Sequence, residues 1–149
     1  MTIYLGADHR GFELKEKLKE WLKDHGYAVE DLGAHKLEPE DDYPDYAIAV
    51  AHKVAEAPDE NRGILLCGSG VGMDIAANRV NGIRAALSFN AAVAKQSREH
   101  EDANVLVLAA DWLAPDDAGE ILKTFLETPF SGEERHVRRI GKMKSIKNL

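Results

Sequence analysis

The chain has 149 residues, 44% apolar and 30% charged, which suits one soluble globular domain with a sizeable core and excludes disorder or a collagen-like repeat. A net charge of −7 argues against wholesale nucleic-acid binding, and a single cysteine excludes both a disulfide scaffold and a Cys-rich zinc site. There is no apolar run near the roughly 18 residues of a membrane span and no signal-like N-terminus, so the expectation is a cytoplasmic protein that engages neither membrane nor nucleic acid.

Short apolar runs alternate with amphipathic stretches along the chain. Thr2–Leu5 reads as a strand ending at Gly6. From Gly11 to His25, Leu14, Leu18, Trp21 and Leu22 recur at helical spacing, and Gly26 suits the stop. Tyr27–Leu32 is a second strand, followed by a polar loop through Pro39 and Pro44. Tyr46–Ala57 has a helical pattern ended by Pro58. Gly63–Cys67 is a short buried-type strand, and Gly72–Val80 a helix. Ile83–Phe89 with Ala91–His100, then Asn104–Ala109 with Pro115–Leu126, repeat the unit twice more. Pro115 fits a first helical turn, where Asp116 and Asp117 complement the helix dipole. Ser131 and Glu134 spell a capping box, so a last, basic helix is expected from about Gly132.

Five strands alternating with helices specify a single doubly wound, Rossmann-like α/β domain: a five-stranded parallel sheet with helices on both faces and a basic C-terminal helix. Right-handed crossovers bring every strand's C-terminal end to one edge, where such sheets bind ligands. The chemistry is therefore expected just after Leu5, Cys67, Phe89 and Ala109.

Cys67-Gly68-Ser69-Gly70-Val71-Gly72-Met73 is the densest signal, a glycine loop between a strand and a helix whose N–H groups can approach an anion. Its place and spacing differ from a dinucleotide fingerprint, and no G-x-x-x-x-G-K-[ST] pattern occurs. The same glycines would equally serve a plain tight turn. A lone cysteine is more often an inert core residue than a base, but beside a helix N-terminus its thiol pKa would fall toward neutrality. Ser69 would either donate to a developing oxyanion or complete the turn. His9 follows the first strand at the ligand edge, whereas His100 at a helix end, taken by itself, reads first as a cation answering the dipole. His25, His35 and His52 read as solvated, and no histidine pair has metal-ligand spacing. Arg135 and Arg139, at i,i+4, suit a phosphate, or else a basic helix answering its dipole and an acidic body. Nothing obvious folds that helix back over its own Cys67, so it would reach a neighbour's site.

Gly6-Ala7-Asp8-His9-Arg10-Gly11, Asp42-Tyr43-Pro44-Asp45-Tyr46-Ala47 and Cys67-Gly68-Ser69-Gly70-Val71-Gly72 together resemble the type B ribose-5-phosphate isomerases. So do Ala76-Ala77-Asn78, Gly82-Ile83-Arg84-Ala85, Ser97-Arg98-Glu99-His100 and Arg135-His136-x-x-Arg139, in unbroken order from about residue 3 to 142. The resemblance implies one isomerase domain over residues 1–149 that takes a small sugar phosphate. It implies a homodimer or tetramer with shared active sites, and neither metal nor cofactor. By the same resemblance His100, with Asp8, opens the furanose ring, and Cys67 moves a proton between C2 and C1 through a cis-enediolate. Ser69 and the N–H groups of Gly68, Gly70, Val71 and Gly72 hold the enediolate oxygens. Tyr43 lines the sugar pocket, and His9, Arg135 and Arg139 hold the phosphate. Two positions depart from the family pattern. Glu101 stands where an asparagine is usual, and Asp111 where many members carry a phosphate-binding arginine. These departures keep other substrates open: allose or galactose 6-phosphate, an unphosphorylated rare sugar, or a sugar phosphate bound without turnover.

Overall fold

The computed structural model describes residues 1–146; the last three residues of the expected 1–149 domain lie outside them. Five strands, β1 (Thr2–Ala7), β2 (Ala28–Asp31), β3 (Arg62–Cys67), β4 (Ala85–Leu87) and β5 (Val105–Ala109), form one sheet in the order β2-β1-β3-β5-β4. Every pairing is parallel, with Leu5 opposite Ile64 and Cys67 opposite Ala109. The helices are α1 (Phe12–Asp24), α2 (Tyr43–Ala55), α3 (Val71–Ala77), α4 (Ala91–Glu101), α5 (Pro115–Glu127) and α6 (Glu134–Lys144). One core, centred on Leu5, Leu18, Ile64, Leu106 and Phe125, packs under α1, α4 and α5. The other, around Val50, Leu65, Met73 and Val107, lies under α2 and α3. The doubly wound sheet expected from the alternation is present, as in sheets buried on both faces.

Local chemistry moved three boundaries. The stretch around Pro44 is helical rather than loop, because a proline in the first turn of α2 forfeits no helical hydrogen bond. α3 is shorter than expected. Asn78 at its end turns its side chain to the edge strand, accepting from Ala85 N at 2.9 Å and donating to Ala85 O at 3.0 Å. The capping box does not form: Glu133 takes the cap position without a side-chain bond, and Ser131 Oγ instead accepts from Glu133 N at 3.3 Å. Among the described residues, no helix is long and apolar enough to cross a membrane.

Strand order reverses between β1 and β3, so the crevice of this fold opens where Ala7 and Cys67 end their strands. Helix α4 leaves that edge and returns to the opposite one, about 15 Å away by its own length. Arg84, just before β4, fastens it there, donating from Nε to Glu101 O at 2.9 Å and from Nη2 to Asp102 Oδ2 at 3.0 Å.

Candidate active site

At the β1 end, the buried Asp8 carboxylate accepts from Arg10 N and Gly11 N at 3.0 and 3.1 Å, which closes the turn into α1. Gly11 is required there, since a Cβ would lie 2.5 Å from Leu66 O. His9 is oriented by Asp41, whose Oδ1 accepts from both His9 N at 3.0 Å and Nδ1 at 2.7 Å. A carboxylate only accepts, so Nδ1 carries the proton and Nε2 is left for a ligand. Burial pushes the Asp41 carboxyl up, but the two bonds from His9 outweigh it, with the nearby Tyr46 hydroxyl adding to them, and hold the group below its ordinary range.

At the β3 end, Cys67 is 5% exposed and its Sγ accepts from Gly70 N at 3.2 Å. The expectation of a lowered thiol pKa is overturned. Burial pushes the thiol up and the Asp8 charge adds to it, while the N–H groups of Met73, Gly70 and Ser69 offset only part. Gly70 holds the left-handed turn at φ 78°, where a Cβ would also strike Leu87. Ser69 Oγ accepts from Val71 N at 3.3 Å, which completes the turn and leaves its own O–H free to donate outward. The exposed Tyr43, at the start of α2, lays its ring against Gly72, where a Cβ would fall 2.6 Å from Cζ. After β5, Asp111 N donates to Gly68 O at 3.1 Å, and Asp111 Oδ2 pairs with Arg10 Nη2.

The remaining candidates are elsewhere. His100 lies in the last turn of α4, at the opposite edge, with Glu101 exposed beside it. Its ring stacks on His136 of α6 at a centroid distance of 4.2 Å. His136 is buried, which pushes its imidazole pKa down, and the neighbouring His100 and Arg135 add to this. Arg135 and Arg139 are exposed on the same helix, Arg135 Nε donating to Glu133 Oε2 at 2.8 Å. One chain thus brings together Asp8, His9, Tyr43, Cys67, Gly68, Ser69, Gly70, Val71, Gly72 and Asp111. It leaves His100, Glu101, Arg135 and Arg139 at the other edge.

Arg10, Asp41 and His136 were not singled out by sequence reasoning, although Arg10 and His136 sit inside the motifs quoted above. Asp41 lies in an acidic run, where composition marks no one carboxylate as a partner for His9. Asp8, His9 and Asp41 bring ligand atoms within 4.8 Å of one another, the spacing a metal needs. Asp8 Oδ1 is nonetheless committed to two backbone N–H groups and His9 Nδ1 to Asp41, so hydrogen bonding accounts for the cluster.

The profile of a family described as ribose/galactose isomerase matches residues 3–143. The ribose-5-phosphate isomerase B of Mycobacterium tuberculosis is 41% identical, over 94% of this chain and 86% of that protein. Among solved structures, ribose-5-phosphate isomerase B from Mycoplasma genitalium with bound ribulose-5-phosphate superposes with a TM-score of 0.93. It is 41% identical, covering 96% of this chain and 93% of that one. The type B ribose 5-phosphate isomerase of Trypanosoma brucei gives a TM-score of 0.92 at 46% identity, with 98% of each chain covered.

Proposed function

Since the chain belongs to the ribose/galactose isomerase family and is an aldose–ketose isomerase, we propose that it interconverts ribose 5-phosphate and ribulose 5-phosphate as one domain spanning 1–149. The observation that carries this reading is the Cys67 thiol at the strand-order switch point, bonded by a loop N–H and adjoining the buried Asp8 carboxylate.

In this mechanism the Cys67 thiolate takes the proton from C2 of the open-chain aldose and returns it to C1, while the 2-hydroxyl proton passes to O1. The intermediate is a cis-enediolate, with negative charge shared over O1 and O2. The O–H of Ser69 and the N–H groups of the Gly68–Gly72 loop that Cys67 and Ser69 leave free, those of Gly68 and Gly72, hold that charge, a role typically worth about 2.7–4 kcal/mol per donor. Burial raises the pKa of the resting thiol, which gives its proton to water before catalysis, and the N–H groups of Met73, Gly70 and Ser69 stabilise the thiolate so formed. Asp8 and His100 move the protons that open the furanose. Tyr43 lines the sugar pocket, and His9, Arg135 and Arg139 bind the phosphate, whose binding energy fixes the reacting carbons.

The placement of His100 and the two arginines at the far edge supports a homodimer in which each site takes these three residues from the partner. A 15 Å helix cannot bend His100 back to its own Cys67, but a two-fold axis that presents one chain's His100 edge to the other's Cys67 edge completes two identical sites.

The test is ribulose 5-phosphate formation from ribose 5-phosphate in EDTA, with ribose in parallel, for the native protein and Cys67→Ala. Turnover of the phosphate ester, with a loss of about 10²–10⁴-fold on substitution and sugar-phosphate binding retained, is the expected result. Absence of turnover by the native enzyme would overturn the choice of substrate.

A further inference from the structure

The Arg10–Asp111 pair has no role in the mechanism above. Arg10 leaves the β1 turn, crosses the start of the Cys67 loop and meets Asp111 beyond β5, so one side chain spans three strand ends. It lies flat on Gly68: a Cβ there would sit 2.6 Å from both Cζ and Nε of the guanidinium. Gly68 is thus the residue that admits this side chain to the loop. Both ends of the span are also held by backbone, Arg10 N donating to Asp8 Oδ1 at 3.0 Å and Asp111 N to Gly68 O at 3.1 Å.

A guanidinium has five N–H donors in a fixed fork, and Asp111 engages Nη2 alone. The Arg10 side chain remains 56% exposed, and no other hydrogen bond forms from its guanidinium among the described residues. It follows His9 directly in sequence, and the two are arranged alike: His9 is oriented by Asp41 and Arg10 by Asp111. In each the carboxylate fixes the side chain and leaves ring or guanidinium nitrogens at the same sheet edge, Nε2 on His9 and the unused N–H donors on Arg10. The pairing also accounts for Asp111. A bare carboxylate would repel a phosphate, whereas one neutralised by Arg10 presents a charged fork beside it.

Resting on the isomerase reading, we propose that Arg10, held across the Cys67 loop by Asp111, is a specificity-determining ligand for the substrate's phosphate group. Arg10 binds the ester and Asp111 is a positioning residue that acts through it. The pair makes this site select phosphorylated over free sugars from the β1 side of the crevice.

The experiment compares Arg10→Met, Arg10→Lys, Asp111→Leu and Asp111→Asn with the native enzyme. It measures KM and kcat for ribose 5-phosphate, inhibition by inorganic phosphate, and Tm with and without phosphate. Arg10→Met should raise KM and the phosphate inhibition constant by about ten- to a hundredfold, with kcat within about threefold. Arg10→Lys, which keeps the charge but not the fork, should fall between. Asp111→Leu should weaken phosphate binding less than Arg10→Met, and Asp111→Asn, which keeps an acceptor for Nη2, should restore most of it.

If Arg10→Met lowers Tm but leaves KM and phosphate inhibition unchanged, the pair is only a clasp between loops and the proposal falls. Should the native enzyme not turn over ribose 5-phosphate, the isomerase reading fails first, and the phosphate-induced rise in Tm decides Arg10 separately. A rise lost in Arg10→Met retains the anion site, and an equal rise in both proteins removes it.

Discussion

The Cys67 edge and the His100 edge of this sheet hold their chemistry by different means. At the Cys67 edge the side chains are gripped by backbone: Asp8 by two N–H groups, the Cys67 sulfur by Gly70 N, and Asp111 through its own amide to Gly68. These bonds belong to the turns that end β1, β3 and β5, so the geometry is as rigid as the core beneath it. At the His100 edge the imidazole is held by one aromatic neighbour, and Arg135 and Arg139 extend into solvent from a helix with a single buried stripe of His136 and Ile140. A proton shuttle needs fixed donors and acceptors. A phosphate clamp of long cationic side chains can be ordered by its ligand and by a partner surface.

The strongest way to break this comparison is to separate the two edges genetically. Cys67→Ala and His100→Ala should each be nearly inactive alone. In a shared-site dimer, random remixing of the two variants makes half the dimers mixed, and each of these has one intact site. Activity should therefore recover to about a quarter of native after co-refolding or co-expression, a gain of about 25-fold or more over either parent. No recovery, with mixed dimers demonstrated by mass, would place both residues in one chain's site and contradict the distance that α4 imposes.

A smaller effect sharpens the division of labour. Arg139→Ala should raise KM for ribose 5-phosphate by about tenfold with little change in kcat, because a charged ligand to the ester contributes to ground state and transition state alike. An equal loss with an unphosphorylated sugar would make Arg139 a structural residue of α6.

How far the sequence could be read follows from the same contrast. The sheet, its order of elements and the loop after Cys67 were legible because apolar runs, glycines and helix periods are local signals. Pro44 misled because a loop proline and a first-turn proline look alike without the helix that follows. The Cys67 thiol was misjudged because the loop N–H groups are local, whereas the burial that outweighs them comes from strands distant in sequence. Partners joined across long separations had no local trace. His9 with Asp41, Arg10 with Asp111 and His100 with His136 span 32, 101 and 36 positions, and only the fold pairs them.

The last of those pairs predicts a modest dependence on acid at one edge only. Burial, then the charges of His100 and Arg135, depress the His136 pKa, with Arg139 adding to this and Glu133 opposing it. Above the unfolded value of about 6.5, His136 is neutral in both states and costs nothing. As pH falls below that value, the unfolded segment takes up a proton that the docked helix resists, so docking of α6 loses stability toward the lowered folded pKa. Protection factors of the α6 amides, corrected for the intrinsic exchange rate at each pH, should therefore fall severalfold between about pH 7.5 and 5.5, while those of β1 and β3 beneath the Cys67 edge stay unchanged. His136→Phe, which keeps an aromatic ring against His100 but has no proton to gain, should flatten that dependence. The same fall in protection in both proteins would locate the acid sensitivity in Glu133 or the arginine pairs instead, and the stacked histidines would then have no part in it.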